Sequence, residues 1–238
     1  MKKLLIILLI LIPLISIGQE KVFFTSSDGL EITADFYQAD PFQPYVIFMH
    51  QARSSRGEYK EIAPRFVKMG YNCLVVDLRS GGEMNFVQNE TAIQANEENL
   101  PNSMIDARRD VAAAIDYAFK ASGRQVILFG SSYSATLALE ESKSDPKVQA
   151  VIAFSPGEYF PGHSVKETLN GLKKPYFVTG SLNEQPYIEE LMSGANSEVG
   201  IIFAPKDGQG RHGASTLWKE EPAASEYWLA LIMFIRSL

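Results

Sequence analysis

Residues 125–135 read QVILFGSSYSA, in which an apolar run leads through glycine and serine residues into a segment rich in helix formers. The aliphatic and aromatic residues at 125–129 predict a buried strand, and residues 135–143 predict a helix. Because only residues 130–134 lie between them, the chain must turn very tightly from the strand into the helix. A strand joined directly to a helix is the repeating unit of a parallel α/β sheet.

The same alternation of short apolar runs and helical segments extends in both directions along the chain. Strands are predicted at residues 22–25, 31–37, 45–49, 72–77, 125–129, 148–154, 176–179 and 199–204, and helices at residues 58–69, 103–122, 135–143, 187–192 and 223–236. From residue 45 onward the strand runs are apolar throughout, as is typical of strands covered on both faces. The first two runs flank the turn signal Ser27-Asp28-Gly29 and predict an antiparallel hairpin. We therefore predict one α/β domain, with a mostly parallel sheet of about eight strands, helices on both faces and an N-terminal antiparallel hairpin.

The clearest helical pattern covers residues 103–122. Apolar residues recur there at three- and four-residue steps, at Met104, Ala107, Val111, Ile115 and Ala118. Ser103 and Asp106 form a capping-box signature, so this helix is predicted to begin at Ser103.

The first 18 residues have the layout of a secretory signal. Two lysines precede an apolar run at residues 4–17, which ends in the small-x-small pattern Ser16-Ile17-Gly18. The alternative is a membrane anchor, but the run spans about 14 residues, whereas a helix that crosses a bilayer needs about 20. We therefore expect residues 1–18 to be a signal peptide cleaved after Gly18, and residues 19–238 to form the α/β domain. The mature protein is expected to be secreted or periplasmic, without stable membrane insertion.

The composition argues against nucleic acid and anionic membranes as partners and against disulfide bonds within the chain. Loss of Lys2 and Lys3 with the signal would take the formal net charge from −6 to −8, which makes nucleic acid and anionic membrane surfaces unfavourable partners. Cys73 is the only cysteine, so no disulfide can form within the chain. It lies in the apolar run 73–76, which predicts a buried, unreactive thiol.

The turn at residues 130–134 is typical of a catalytic nucleophile. It has the pattern small-x-Ser-x-small, with Ser132 at the centre of a strand-to-helix turn that lifts its hydroxyl above the edge of the sheet. The last position is Ser134 where glycine is usual, and serine is small enough to fit. The amide of Tyr133 and that of Gln51, which follows the strand 45–49, are the predicted oxyanion donors. The alternative is a polar helix start in which one of these serines is only a cap.

A catalytic serine needs a general base, and His212 is the candidate. It lies in the loop 206–213, between the last predicted strand and the last predicted helix, where the base belongs in the chain order serine, acid, histidine. The other histidines, His50 and His163, are interpreted as structural or solvated. No two histidines have the spacing of metal ligands, so a metal-dependent hydrolase is not favoured and no metal site is predicted.

The acid that orients His212 is expected after the strand 176–179, where residues 180–184 read GSLNE. Glu184 is the first candidate. The sequence leaves three alternatives open: Glu158 after the preceding strand, Asp207 close to the base, and Asn183, which stands where an aspartate is common.

Residues 46–51, 73–82, 125–134 and 206–213 together resemble the alpha/beta-hydrolase superfamily, nearest to its dienelactone-hydrolase-like and esterase-like members. The resemblance implies the alpha/beta-hydrolase fold, a serine, acid and histidine triad, an acyl-enzyme intermediate, water as second substrate and no cofactor. It also implies a small-molecule substrate with an ester-like bond: a carboxylic ester, a lactone or a thioester. Residues 83–102 would form a small flap over the site.

Two further expectations concern the activity. Dienelactone hydrolase proper resembles this chain in size but has a cysteine nucleophile, so Ser132 favours a serine esterase. The alternative, from a different class of function, is a non-catalytic binding protein that keeps the fold, and it draws on Ser134 and Asn183 as departures from the usual pattern. A close contact between Ser132 and His212, with a carboxylate behind the imidazole, would argue against that alternative.

Overall fold

The computed structural model of the protein describes residues 18–238. The apolar run 4–17 lies outside the described residues, so the signal peptide, its cleavage and the export of the chain stay predictions. Within the described residues, no helix is both long and apolar enough to cross a membrane.

The main sheet has eight strands in the order β1-β2-β4-β3-β7-β8-β9-β10, with a separate hairpin formed by β5 and β6. The strands are β1 (Gln19–Thr25), β2 (Glu31–Tyr37), β3 (Tyr45–Met49), β4 (Asn72–Val76), β5 (Glu83–Met84), β6 (Val87–Gln88), β7 (Val126–Ser131), β8 (Val148–Phe154), β9 (Tyr176–Thr179) and β10 (Gly200–Phe203). Strand β2 pairs antiparallel with β1 and β4, and the remaining pairs of the main sheet are parallel. The predicted sheet and its N-terminal hairpin are confirmed.

Helices cover both faces of this sheet. They are α1 (Ala63–Lys68), α2 (Glu90–Glu97), α3 (Arg108–Ser122), α4 (Tyr133–Ser144), α5 (Val165–Leu169), α6 (Gln185–Leu191) and α7 (Ala224–Arg236), with short 3-10 helices at Arg56–Tyr59, Leu182–Glu184 and Ala214–Leu217. Successive residues of a strand face opposite sides, so Ile47 of β3 joins the core under α3 and α4, while Phe48 joins the core under α1 and α7. Two-sided burial explains the apolar sequences of β3, β4, β7, β8 and β9. The edge strand β10 is an exception, because its Ile201 and Ile202 are exposed. Cys73 of β4 is fully buried, as predicted.

Two predicted helices differ from the observed ones. Helix α3 begins at Arg108 and not at Ser103. The Ser103 amide does donate to Asp106 Oδ2 (3.1 Å), as the capping signature implies. The residues that follow form turns with hydrogen bonds three residues apart and not the four-residue bonds of an α-helix. The Asp106 amide donates to Ser103 O (3.1 Å), and the Arg108 amide donates to Ile105 O (3.2 Å). A capping contact can therefore stabilise a turn that does not continue directly as an α-helix.

The predicted helix 58–69 is divided into the 3-10 helix Arg56–Tyr59 and the separate helix α1. Pro64 lies in the first turn of α1, where a missing amide hydrogen costs no helical hydrogen bond. The division matters for the site below, because it lets the 3-10 helix turn Glu58 into the protein.

A row of aromatic rings crosses the sheet beneath α7. Phe48, Phe129 and Phe154 come from three neighbouring strands, and the ring centroids of both adjacent pairs are 5.1 Å apart. Phe177 of β9 extends the row, at 6.1 Å from Phe154. Phe129 is fully buried at the centre of this row and immediately precedes the turn that carries Ser132.

Phe129→Ala should lower the free energy of unfolding by about 3–5 kcal/mol, since it leaves a cavity in the middle of the aromatic row. Urea denaturation at neutral pH would measure this. Phe42→Ala is the control: Phe42 is 76% exposed, and its replacement should change stability by less than about 0.5 kcal/mol. Equal effects of the two substitutions would show that the aromatic row does not stabilise the sheet.

Candidate active site

The candidate site lies at the carboxyl edge of the sheet. Ser132 follows β7, Ser155 follows β8, Glu184 follows β9 in a 3-10 helix, and His212 lies in the loop after β10. Parallel strands end at a common edge, so residues far apart in sequence meet there.

The turn that carries Ser132 has an unusual backbone conformation. Ser132 has φ 60° and ψ −126°, a region that non-glycine residues rarely adopt. A Cβ atom at Gly130 would lie 2.4 Å from the Cα of Ala135, so only glycine allows the helix to start this close to the strand. The structure also accounts for Ser134: it is fully buried, and its Oγ accepts the Ser131 amide (2.9 Å) and donates to Met49 O (2.7 Å).

Three of the predicted site residues form one hydrogen-bonded chain. The Ser132 hydroxyl donates to His212 Nε2 (2.8 Å), and His212 Nδ1 donates to Glu184 Oε1 (2.5 Å). The second oxygen of Glu184, Oε2, accepts the hydroxyl of Ser155 (2.8 Å) and both the amide (2.8 Å) and the hydroxyl (2.9 Å) of Ser181. One carboxylate oxygen therefore faces the imidazole, while the other holds the carboxylate in place.

This arrangement sets the charge of the acid and the basicity of the histidine. Partial burial acts to raise the pKa of Glu184, but the hydrogen bonds from His212, Ser181 and Ser155 outweigh it and bring the pKa down to about 2. The hydrogen bond to Glu184 raises the pKa of His212, and partial burial of the imidazole opposes it. Glu184 is consequently ionised at neutral pH, and His212 is a stronger base than an isolated histidine.

The other predicted acids lie away from the imidazole. Glu158 accepts the amides of Val165 (2.7 Å) and Lys166 (2.9 Å) and so caps α5. Asn183 is exposed, because the capping box between Ser181 and Glu184 turns it outward, and Asp207 is exposed in the loop after β10. Of the four candidates, the structure brings only Glu184 to His212.

The predicted oxyanion donors have different outcomes. Tyr133 is the first residue of α4, and its amide has no acceptor among residues 18–238. The Gln51 amide is not a free donor, which corrects the sequence prediction, because it donates to Glu58 Oε2 (2.9 Å). The next amide of the same loop belongs to Ala52, which is exposed and has no acceptor in the described part of the chain.

Sequence reasoning missed Glu58. This carboxylate is fully buried, and its Oε1 accepts the hydroxyl of Ser131 (2.6 Å), directly beside Ser132. A single glutamate in a predicted helix is usually solvated, so the sequence pattern does not predict a buried carboxylate at this position. One signal was present: Glu58 precedes Ile62 by four positions and so falls beside the apolar face of that helical pattern.

The remaining histidines, His50 and His163, contact neither Ser132 nor Glu184 by hydrogen bonds in the described part of the chain. His50 is fully buried, and its Nε2 accepts the Leu78 amide (2.9 Å); burial lowers its pKa to about 4, so it is neutral. His163 Nε2 contacts Glu140 Oε1 at 2.5 Å.

The segment 83–102 forms the β5–β6 hairpin and α2. The hairpin packs on the 3-10 helix Arg56–Tyr59, where Asn85 Nδ2 donates to Gly57 O (3.0 Å), and α2 packs on β2, where Thr33 N donates to Thr91 Oγ1 (2.9 Å). Phe86 at the hairpin tip is 99% exposed. The segment is thus held by one hydrogen bond to the 3-10 helix Arg56–Tyr59 and by another to β2.

A cleft of about 320 Å³ lies beside Tyr159. Its apolar wall is formed by Met104, Ile105, Tyr159 and Phe160. The Tyr159 hydroxyl donates to Ser155 O (2.9 Å) and is also within hydrogen-bonding reach of Ser132. Tyr159 therefore connects Ser132 to a cleft that has apolar side chains and the Arg108 guanidinium in its wall.

Comparison with solved structures shows the fold. The esterase Pf2001 of Pyrococcus furiosus is similar over 93% of this chain and 90% of its own, with 17% identity and a TM-score of 0.68. A dienelactone hydrolase from Anabaena variabilis is similar over 92% and 97%, with 19% identity and a TM-score of 0.68. The esterase domain of a Rhodothermus marinus protein is similar over 92% and 98%, with 13% identity and a TM-score of 0.60. No curated protein sequence matches the chain.

The family model of dienelactone hydrolases matches residues 34–197, which is more than half of the chain and includes the Ser132 turn and Glu184. The resemblance inferred from the sequence is thereby confirmed. The chain belongs to the dienelactone hydrolase family and is a hydrolase with the alpha/beta-hydrolase fold.

Proposed function

We propose that the protein is a serine hydrolase that cleaves carboxylic ester bonds of small molecules through an acyl-enzyme intermediate. The observation that carries the proposal is the continuous chain from Ser132 through His212 to Glu184, with distances of 2.8 and 2.5 Å. A serine hydroxyl is a weak nucleophile until a base removes its proton, and this chain supplies that base. Membership of a family of hydrolases supports the same reaction class.

In the acylation step, His212 Nε2 takes the proton from Ser132 as the hydroxyl oxygen attacks the ester carbonyl. Glu184 keeps Nδ1 protonated, so that Nε2 is free to accept, and it stabilises the imidazolium that forms. The amides of Tyr133 and Ala52 are the proposed donors to the oxyanion, and the N-terminus of α4 adds positive potential there. His212 then returns its proton to the leaving alcohol.

In the deacylation step, a water molecule takes the place of the alcohol. His212 removes a proton from this water as it attacks the acyl carbonyl, and the acid leaves when Ser132 regains its proton. The apolar residues Met104, Ile105 and Phe160 of the cleft beside Tyr159 favour an apolar acyl or aryl group. Lactones and thioesters fall within the same chemistry.

The short contact between Ser132 and His212 argues against the non-catalytic alternative. The two departures that favoured it have structural explanations. Ser134 fits the turn and adds hydrogen bonds to it. The carboxylate that accepts the hydrogen bond from His212 belongs to Glu184, one residue after Asn183.

Ser132→Ala should lower kcat/KM for p-nitrophenyl butyrate by roughly ten-thousand-fold, because the attacking oxygen is removed. His212→Ala should have a loss of similar size. Ser132→Ala should also abolish covalent labelling by a fluorophosphonate, while the circular dichroism spectrum stays that of the wild type. Ser144→Ala, an exposed serine on α4, is the matched control and should behave as wild type. Persistent labelling of Ser132→Ala would show that another residue is the nucleophile.

Glu184→Gln should lower kcat by roughly a hundred- to ten-thousand-fold, since it removes the charge that stabilises the imidazolium. The base works unprotonated, so kcat/KM of the wild type should rise with pH through the pKa of His212, above the ordinary value near 6.5. Loss of the Glu184 charge lowers that pKa, and the acid limb should move to lower pH. Asp207→Asn is the control; if it were the more damaging of the two, Asp207 would be the acid.

We also propose that residues 1–18 direct export. The mature chain recovered from the periplasm or the medium should then begin at Gln19, which N-terminal sequencing or intact mass would measure. Recovery of a chain that retains residues 1–18 would contradict cleavage at this point.

A further inference from the structure

Two serine–glutamate pairs hold the backbone that follows His212. In the first pair, the Gly213 amide donates to Ser155 Oγ (2.8 Å), and the Ser155 hydroxyl donates to Glu184 Oε2 (2.8 Å). This pair belongs to the proposed triad, because Glu184 also contacts the imidazole.

The second pair repeats this pattern from the neighbouring strand. The Ala214 amide donates to Ser131 Oγ (2.9 Å), and the Ser131 hydroxyl donates to Glu58 Oε1 (2.6 Å). Both side chains of this pair are buried. A Cβ atom at Gly213 would lie 2.5 Å from Ser131 Oγ, so only glycine lets the base loop approach this closely. Two consecutive amides are thus fixed by hydroxyls at the ends of β7 and β8.

The other oxygen of Glu58 contacts the loop after β3, which carries the proposed oxyanion donor Ala52. Glu58 Oε2 accepts the Gln51 amide (2.9 Å), which immediately precedes Ala52. One buried carboxylate therefore contacts the Ser132 turn and the loop after β3 directly, and the His212 loop through a single hydroxyl.

Glu58 itself is held rigidly. The Arg56 amide donates to Asp77 Oδ1 (2.7 Å), and the Arg56 guanidinium pairs with both Asp77 and Asp35 (3.1 Å). The Trp218 indole donates to Glu58 O (2.9 Å). Such anchoring of the 3-10 helix keeps the carboxylate at a defined point behind His212.

We propose, on the basis of the proposed serine hydrolase function, that Glu58 is an ionised positioning residue that orders the loops after β3 and β10 and places a second negative charge behind His212. Both of its oxygens accept hydrogen bonds, as a carboxylate does. Among residues 18–238, no lysine or arginine forms an ion pair with it. The imidazolium formed during catalysis is then the cation that this charge stabilises.

Burial and hydrogen bonding act on the pKa of Glu58 in opposite directions. Burial raises the pKa of Glu58, while hydrogen bonds from Ser131, Gln51 and Ser54 and the nearby His212 oppose that rise. Tyr59 and Tyr133 also face Glu58, and burial raises the pKa of both phenols, so they remain neutral. Glu184 raises the pKa of His212 most, through its hydrogen bond, and the charge of Glu58 raises it further.

The test is Glu58→Gln in the full-length mature protein, with kcat, KM and the pH dependence of kcat/KM measured on p-nitrophenyl butyrate. The substitution keeps the side-chain volume and an oxygen that can accept the Gln51 amide, but it removes the charge. We expect kcat to fall about tenfold or more with little change in KM, since alignment of reacting groups is lost while substrate binding is kept. The acid limb should move to lower pH by about half a unit or more, because His212 loses a stabilising charge.

Two further variants separate the charge from the fold. Glu61→Gln, an exposed glutamate of the same segment, should leave both kcat and the acid limb unchanged. Ser131→Ala breaks the link to Ala214 and removes one hydrogen bond that favours the charged form of Glu58, so it should lower kcat and move the acid limb to lower pH by less than Glu58→Gln does. It also tests the positioning role if Glu58→Gln fails to fold.

A wild-type acid limb in Glu58→Gln would overturn the role of the charge, and wild-type kcat in Ser131→Ala would overturn the link to the base loop. Failure of the underlying function is separately visible, since wild-type protein would then neither hydrolyse the ester nor react with a fluorophosphonate.

Discussion

The backbone conformation of Ser132 is the constraint on which the site depends. A non-glycine residue at φ 60° and ψ −126° costs on the order of 1–3 kcal/mol and persists only where its surroundings enforce it. Here the enforcement comes from neighbouring strands: the Ser132 amide donates to Phe154 O of β8 (2.8 Å), and Ser134 bridges the turn to Met49 O of β3. This conformation directs the Ser132 hydroxyl at His212, and burial of the two apolar cores on the opposite faces of the sheet offsets its cost.

His212 lies on a loop, yet the two backbone amides that follow it are held by hydroxyls at strand ends. A loop has no ladder of backbone hydrogen bonds, so its amides need other acceptors. Ser155 and Ser131 provide these acceptors at the ends of two adjacent strands, and each hydroxyl is itself oriented by a carboxylate. The rigidity of the sheet is thereby passed to His212 through side chains rather than through backbone pairing.

Local patterns predicted most of this arrangement. The apolar runs predicted the parallel strands, and the positions of Ser132 and His212 followed from strand ends, while Glu184 was the first of four candidate acids. The hydrogen bond from the Gln51 amide to Glu58 could not be predicted in the same way. It requires a buried Glu58, and this burial depends on the packing of the 3-10 helix against Trp218, which is distant in sequence. The start of α3 was missed for a related reason, since Ser103 and Asp106 make the same local contact in a turn as in a helix.

The charges behind His212 suit a serine better than a cysteine. A thiol has a pKa near 8.5 and can be ionised by a neighbouring imidazolium before it attacks, whereas a hydroxyl loses its proton only during attack. A base with a raised pKa takes that proton more readily and forms a more stable imidazolium. Glu184 supplies this effect by direct hydrogen bonding, with a pKa of about 2 that keeps it charged across the physiological range. Under the proposal, the buried carboxylate of Glu58, which has no lysine or arginine partner among residues 18–238, adds to the same effect only while it is ionised. The basicity of His212 would then depend on the protonation state of Glu58.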